Sequence, residues 1–514
     1  MTFSYNSSTS KEIKGYKKMS TYILAIDQGT NSSKAIIFDE NAHMIARGAT
    51  DVESRHPHPG FVEQDPEAIY QSVLSAVRKC IDIFQRTVRI ELDDIKVCGI
   101  SNQRETIILW DKSGTPLYNA LSWQCKRSMD ICNRIIGSKL EDEIINRTGL
   151  IADPYFSATK IKWLYENVDS VREAIDKGNA FAGTVDSWLL YKLTGGKSFL
   201  TDHTNASRTL LFNIHKKEWD SVLLRKFGLK NLILPEAVPS AHQFGKTTFE
   251  GLFSKPVKIT AMIGDSHAAA FGERCFEPGE AKASLGTGSS ILMNTGEKPV
   301  TSKNGLVTTI CWSLPGRTDY ALEGIIVTAG ATIQWLRDKV EMFLHPMESE
   351  KMAASVPDND GVYFVPAFSG LGAPHWKMGS KAIISGLTFS ATKNHIVRAA
   401  LESIPYQIKD VISAMESEAG VPLKDLNADG GITSNNFVMQ FIADLLKTNV
   451  RTLQLADVSA LGAAYIAGLQ GGIFKDFEAL KEINHPQRRY IPGDKRVIVQ
   501  EYYKGWQEAV KLIK

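Results

Sequence analysis

YILAIDQGTNSSKAIIF, residues 22–38, is apolar at both ends and built of small and hydroxyl-bearing residues in the middle. Tyr22–Ile26 reads as a buried strand, Asp27–Ser33 as turn chemistry, and Lys34–Phe38 as a returning strand, which together predict a β-hairpin. The same design recurs downstream: Glu280–Leu285 leads into Gly286-Thr287-Gly288-Ser289, and Ser290–Met293 leads out. About half the chain lies between the two copies, and this weak repeat predicts two related α/β domains. Between them, Pro66–Phe84 reads as an amphipathic helix with Asp65 as N-cap and Pro66 as first residue. Ile95–Ile100 and Thr106–Trp110 read as strands, and the alternation that follows argues α/β. The boundary is expected near residue 272, behind the helix-like Ser266–Phe271. No low-complexity linker marks it, so the halves are expected to flank a cleft. Residues 1–20 are polar, carry four lysines and lack a secretory core; they read as a flexible extension, with Met19 available as an alternative start.

The 514 residues are 43% hydrophobic and 23% charged, which excludes a disordered, collagenous or coiled-coil chain. Basic residues outnumber acidic ones by 59 to 57, so the electrostatic footprint of a nucleic-acid binder is missing. Six cysteines without a CxxC pair argue against a disulfide framework or zinc ribbon. No apolar run has the length of a membrane span. A cytoplasmic, globular protein is expected.

Several nucleotide and metal motifs fail. A Walker A loop would need glycine where Ser240 precedes Gly245-Lys246-Thr247, and Gly286-Thr287-Gly288 is not followed by the third glycine of a dinucleotide fingerprint. Protein-kinase motifs, HExxH and a serine-hydrolase elbow are absent. His56 and His58 fall in a proline-containing turn and read as surface residues.

Three turns remain: Asp27–Ser33, Gly286–Ser290 and Asp429-Gly430-Gly431. Singly each is an ordinary tight turn; together they fit a nucleotide cleft, because glycine lets backbone N–H groups approach phosphate oxygens and hydroxyls add donors. Asp265 ends an apolar strand just before a small-residue helix. It suits a helix N-cap, a magnesium-associated acid or a base aimed at a substrate hydroxyl. Asn102-Gln103-Arg104-Glu105 reads either as an exposed break between strands or as a set of donors and acceptors for a hydroxyl-rich ligand. Trp123 and Tyr155 supply aromatic surface, either to the core or to a ligand.

The combination resembles the FGGY carbohydrate kinases from about Tyr22 to Lys514. Tyr155–Asn167 (YFSATKIKWLYEN) and Ala382–Glu402 fit that family's two signatures. NQRET (102–106), NASRTLLFNI (205–214), ALEG (321–324) and PAFSGLGAP (366–374) fit its polyol-phosphorylating branch. The resemblance implies two actin-like (ribonuclease H-like) ATPase domains flanking a central cleft, divided as 21–271 and 272–514. It implies ATP-dependent phosphorylation of glycerol to sn-glycerol 3-phosphate with Mg²⁺, or alternatively of a tetritol, pentitol or ketose such as xylulose. It assigns Asp265 as catalytic base. Arg104, Glu105, Trp123, Tyr155, Asp265, Ser266 and Ser290 would bind the acceptor. Thr30, Asn31, Ser32, Lys34, Thr287, Gly330, Gln334, Gly431 and Asn435 would bind ATP, and Asp27 and Asp265 would meet the metal. A homodimer or homotetramer is implied.

The resemblance breaks at defined points. Ser266-His267 follows the acid where relatives carry an amide, and Ser290 replaces an aromatic wall of the acceptor pocket. Those changes leave space and polarity beside the substrate, unless a neighbour such as His267 fills the gap. His375-Trp376-Lys377 replaces an aromatic-Trp-Asp run, and Lys34 stands where many relatives have Arg. Neither a glycine-and-arginine loop near residues 245–260 nor a histidine in Phe249–Leu252 is present, so regulation through either is not expected.

Overall fold

The computed structural model describes residues 21–87, 92–377, 379–455, 457–485 and 487–513. The extension 1–20 and Met19 lie outside the described residues. The first hairpin forms as read: β1 (Tyr22–Gln28) and β2 (Ser32–Phe38) pair antiparallel, and β3 (Met44–Asp51) continues the ladder. Helix α1 (Pro66–Thr87) follows, with Asp65 Oδ1 accepting from the Glu67 N–H at 2.9 Å as an N-cap should. Its buried stripe Ile69, Val73, Val77, Ile81 and Phe84 faces the sheet; each such side chain contributes about 2 kcal/mol by leaving water. Strand β4 (Ile95–Asn102) runs parallel to β1, and β5 (Ala241–Thr247) and β6 (Val257–Gly264) complete a six-stranded sheet ordered β5-β6-β4-β1-β2-β3. Gly245-Lys246-Thr247 thus lies in a strand. Helix α2 (Asp265–Gly272) leaves the end of β6.

The second half repeats the plan. It contains β7 (Glu280–Leu285), β8 (Ser289–Gly296), β9 (Val307–Leu314) and β10 (Arg317–Ile326), then α3 (Gly330–Asp338) and α4 (Lys393–Ala419). After these come β11 (Asp425–Asp429), α5 (Asn436–Leu446), β12 (Val450–Leu453), α6 (Val458–Gln470) and β13 (Gln487–Tyr490). The sheet order is β9-β10-β8-β7-β11-β12-β13. Its segment β10-β8-β7-β11-β12 matches β3-β2-β1-β4-β6 in order and in direction, antiparallel up to the hairpin and parallel beyond it. The hairpin repeat is therefore a repeat of whole sheets.

The strands divide near residue 272, but the chain does not. Helix α6 returns from the second half to pack on α2 and on β4, β1 and β6 of the first sheet. Its small-residue sequence permits this: a Cβ on Gly462 would sit 1.8 Å from the Ala268 carbonyl oxygen, so only glycine allows the two helices this close. A small four-stranded sheet of Glu63–Gln64, Ala120–Leu121, Ile107–Trp110 and Phe181–Thr184 projects from the first half and carries the loops that reach the cleft.

Candidate active site

The first hairpin turn, the end of β6 and the turn after β11 open on a cleft of about 700 Å³ between the two sheets, and Ser284 and Ser290, which flank the second hairpin turn, line it too. Asp27, Thr30, Lys34, Arg104, Glu105, Trp123 and Tyr155 line it from the first half, with Asp265 and Ser266 of α2. Ser290 and Asp429 line it from the second half. Asp265 is the first helical residue; Gly264 is the N-cap, and no side chain caps it. Asp265 nonetheless meets a first-turn amide, its Oδ1 accepting from the Ser266 N–H at 2.6 Å. Its side chain is 39% accessible, with Oδ1 3.3 Å from Arg104 Nε. Burial between the domains pushes its carboxyl up to about 6; Arg104 opposes this, while Glu105 and Asp27 add to it. Water in the open cleft screens part of the shift, and excluding that water would strengthen it.

Asn102–Glu105 is not an exposed break. All four residues are buried, Glu105 holding a left-handed φ of +59°. A non-glycine residue there is strained by about 1–2 kcal/mol. What holds it is an ion lattice that joins the two halves. Arg104 Nη2 lies 2.9 Å from Glu323 Oε1 on β10, Arg208 Nη2 lies 2.7 Å from Glu323 Oε2, and Arg208 Nε donates to Glu105 Oε1 at 2.6 Å. Burial alone would raise the Glu323 carboxyl; the two guanidiniums hold it well below the usual range. Ser290 Oγ donates to the same Glu323 Oε1 at 2.9 Å. Glu323 and Arg208 were missing from the sequence-derived site, although both sit in segments that resembled the family.

Trp123 Nε1 donates to Thr30 Oγ1 at 2.9 Å, and its ring meets Tyr155 edge-on at 5.6 Å. The loop bearing Tyr155 is pinned by buried Lys160, whose ammonium donates to the carbonyls of Pro154, Tyr155 and Phe156 at 3.0, 2.6 and 3.1 Å. Burial pushes that ammonium down to about 8.

At the first turn, Lys34 Nζ lies 3.0 Å from Asp27 Oδ2 and 3.2 Å from Asp457 Oδ1, and Arg47 holds the other Asp457 oxygen at 2.7 Å. Burial would lower the Lys34 ammonium; the two carboxylates outweigh it and hold the group above its ordinary range. Asp457 precedes α6 and is a second link between the ends of the chain. Asn31 falls in the turn and Ser32 opens β2, and neither lines this cleft or the cavity beside it. His267, the alternative filler of the space beside Ser290, turns away: it is fully buried, with Nε2 3.2 Å from Thr309 Oγ1.

The adjoining cavity, about 390 Å³, lies in the second half. Thr287, Gly330, Gln334, Gly431 and Asn435 line it together, and Ile333, Arg337, Met347, Glu350, Leu401 and Ile432 complete it. The turn and α3 touch: a Cβ on Gly330 would come within 2.7 Å of the Gly286 carbonyl oxygen. Asn435 is held by capping α5, its Oδ1 accepting from Val438 N–H at 3.1 Å.

Two duplicated actin-like sheets, with glycine turns at the ends of both and the half-exposed carboxylate of Asp265 in the cleft between them, have the architecture of an ATP-dependent phosphotransferase. Residues 22–272 match the N-terminal domain, and residues 281–471 the C-terminal domain, of the FGGY family of carbohydrate kinases, and the chain belongs to that family. Glycerol kinase 2 of Thermotoga maritima is 45% identical over 490 residues, covering 95% of this chain and 98% of that protein. The glycerol kinase of Carboxydothermus hydrogenoformans is 45% identical over 95% and 97% of the two chains. The crystal structure of Plasmodium falciparum glycerol kinase with ADP superposes with a TM-score of 0.90 at 35% identity, over 96% of this chain and 98% of that one. A gluconate kinase from Lactobacillus acidophilus shares the fold, with a TM-score of 0.85 at 21% identity, over 96% and 98%.

Proposed function

We propose that the chain transfers the γ-phosphoryl group of ATP to a terminal hydroxyl of glycerol, giving sn-glycerol 3-phosphate and ADP. The observation that carries this is the position of Asp265, which faces the Arg104–Glu105 cluster on one side and the phosphate-sized turns on the other. The acceptor hydroxyl gives its proton to Asp265, its oxygen bonds to the γ-phosphorus, and the bond to the β–γ bridging oxygen breaks. A carboxyl near 6 suits a base at neutral pH, being ionised yet basic enough to take the proton. Arg104 and Glu105 orient the remaining hydroxyls by charge-assisted hydrogen bonds, and Trp123 and Tyr155 cover the carbon chain. Thr30 and Thr287 donate to phosphate oxygens, and Gln334 and Asn435 face the adenosine. Lys34, paired with both Asp27 and Asp457, would exchange its Asp27 contact for phosphate when the nucleotide binds.

The donor set fits Mg²⁺ delivered with the nucleotide. No group of three or more His, Cys, Asp or Glu among the described residues forms a ready cation site, yet Asp27, Asp265 and Asp429 line one cleft. One or two carboxylates with phosphates and water are the usual Mg²⁺ set. Asp27 and Asp265 would hold the ion, which would supply neutralisation of the phosphate charge. On this reading residues 21–271 supply most of the acceptor pocket and the first turn, and 272–514 the second turn, the adenosine site and the pocket's Glu323 and Ser290. We place the enzyme in the cytoplasm, as a homodimer or homotetramer; no described helix is long and apolar enough to cross a membrane.

The test is ADP release with ATP, Mg²⁺ and glycerol, with the product identified. Saturable, glycerol-dependent ADP release with glycerol 3-phosphate formed is expected. ADP release indifferent to glycerol would refute the reading.

A further inference from the structure

Trp123 and Thr30 are joined by two routes. The direct one is the indole N–H, which donates to Thr30 Oγ1 at 2.9 Å. The other runs behind the cleft through buried side chains. The Trp123 backbone N–H donates to Thr106 Oγ1 at 3.2 Å, and Thr106 Oγ1 donates to Gln103 Oε1 at 2.9 Å. Gln103 Nε2 donates to Gln64 Oε1 at 2.9 Å, and Gln64 Nε2 to the Thr30 carbonyl at 2.7 Å. The other hydrogen of Gln103 Nε2 goes to Gln28 Oε1 at 3.2 Å, and Gln28 Nε2 reaches the Gly29 carbonyl at 2.8 Å. Gln28, Gln64, Gln103 and Thr106 are wholly buried, and none of them lines either cavity.

The direction of every bond in this ring is set by its ends. An amide or indole N–H only donates, and a carbonyl only accepts. The Trp123 N–H therefore makes Thr106 Oγ1 an acceptor, so the Thr106 hydrogen goes to Gln103 Oε1. That turns Gln103 Nε2 toward Gln64 and Gln28, and Gln64 Nε2 toward Thr30. The indole likewise makes Thr30 Oγ1 an acceptor and leaves the Thr30 hydrogen for a group in the cleft. Trp123 and Thr30 both line that cleft. A ligand seated against the Trp123 ring fixes both of its N–H groups, and with them the Thr30 hydroxyl and the carbonyls of the glycine turn. Each bond in such a buried string polarises the next. The string ties the loop carried by the small sheet, where Trp123 stands, to the turn at the end of β1.

We infer that Gln64, Gln103 and Thr106 are positioning residues that couple the two substrate sites, so that bound acceptor tightens the hold of the first turn on the nucleotide phosphates. The inference rests on the proposed transfer from ATP to glycerol and adds to it the bonds that make one substrate sense the other. By linkage, bound nucleotide tightens the acceptor by the same factor.

The test measures, by calorimetry on the full chain, the Kd of a non-hydrolysable ATP analogue with Mg²⁺, without glycerol and at saturating glycerol. In the wild type, glycerol should lower that Kd by about fivefold or more, the lower edge of ordinary coupling between sites. Thr106→Val keeps the shape and breaks the string in its middle, so the ratio of the two Kd values should fall to within about twofold of unity. Gln103→Leu should do the same. Thr106→Ser loses a methyl group but keeps the hydroxyl, and the wild-type ratio should survive. A hydroxyl that only stabilises the fold would lower the melting temperature of Thr106→Val and leave the ratio where it was. Melting curves check that the variants fold, and ADP release with glycerol is measured on the same samples. A wild-type ratio of unity in an enzyme that phosphorylates glycerol, or a wild-type ratio retained in folded Thr106→Val or Gln103→Leu, overturns the coupling alone. ADP release indifferent to glycerol overturns the proposed reaction with it.

Discussion

The two ends of the site are built on opposite principles. At the proposed acceptor end the charges are buried, paired and shared between domains: Arg104 and Arg208 of the first half close on Glu323 of the second, and Arg208 also holds Glu105. At the proposed nucleotide end the lining is apolar side chains, glycine backbone, the hydroxyls of Thr287, Ser349 and Ser434 and two amides, with Arg337 and Glu350 as its charged members. A buried ion pair costs desolvation that only exact partnering offsets. On the proposed reading the acceptor end recognises by fixed charge, and its integrity depends on how the two sheets sit together; the nucleotide end recognises by shape, backbone and hydroxyls within one sheet's layer, and damage there should stay local.

That contrast can be broken or sharpened experimentally. The largest effect is expected from Asp265→Asn, which keeps the shape and removes the base: kcat should fall by about 10²–10⁴-fold while nucleotide affinity by calorimetry stays as in wild type. A variant turning over normally would remove Asp265 from the chemistry. Next comes pH. The base works ionised, and burial raises its carboxyl to about 6, so kcat/KM for the acceptor should be full above that pH and fall about tenfold per unit below it. A profile flat down to pH 5 would show an unshifted acid. Gln334→Ala should raise the KM for ATP by about tenfold, as for one lost polar contact, with the acceptor KM unchanged. Parallel rises in both constants would erase the distinction between the ends. The smallest effect belongs to Trp123→Phe, which keeps a ring but loses the bond to Thr30. It should cost about 1 kcal/mol, roughly fivefold in kcat/KM.

What was legible in the sequence follows the same division. The hairpins, the helix behind Asp65 and the acid after β6 are local patterns, and the structure has each of them. The lattice is not local. Glu323 lies 219 positions from Arg104, so no spacing rule pairs them. A signal was nonetheless present: one carboxylate in the apolar strand Arg317–Ile326 must find a cation or not be buried. The same logic applies to Arg208 amid the buried run at 204–214. Asp457 was hidden because its partners, Lys34 and Arg47, become neighbours only when α6 returns to the first sheet. The reading of Asn102–Glu105 as an exposed break failed for the complementary reason. Four polar residues in a row suggest solvent, but here their partners are protein.

The most direct measurement is a two-substrate kinetic matrix for Glu323→Gln, acceptor and ATP varied independently, alongside a urea melt. Removing this charge leaves two buried guanidiniums short of a partner, so the melt should lose about 3 kcal/mol. The acceptor KM should rise by about tenfold or more, the range of a lost charged hydrogen bond, while the KM for ATP stays where it was. A variant in which the ATP KM climbs with the acceptor KM, or in which neither moves, would contradict an acceptor end organised by a charge from the opposite domain.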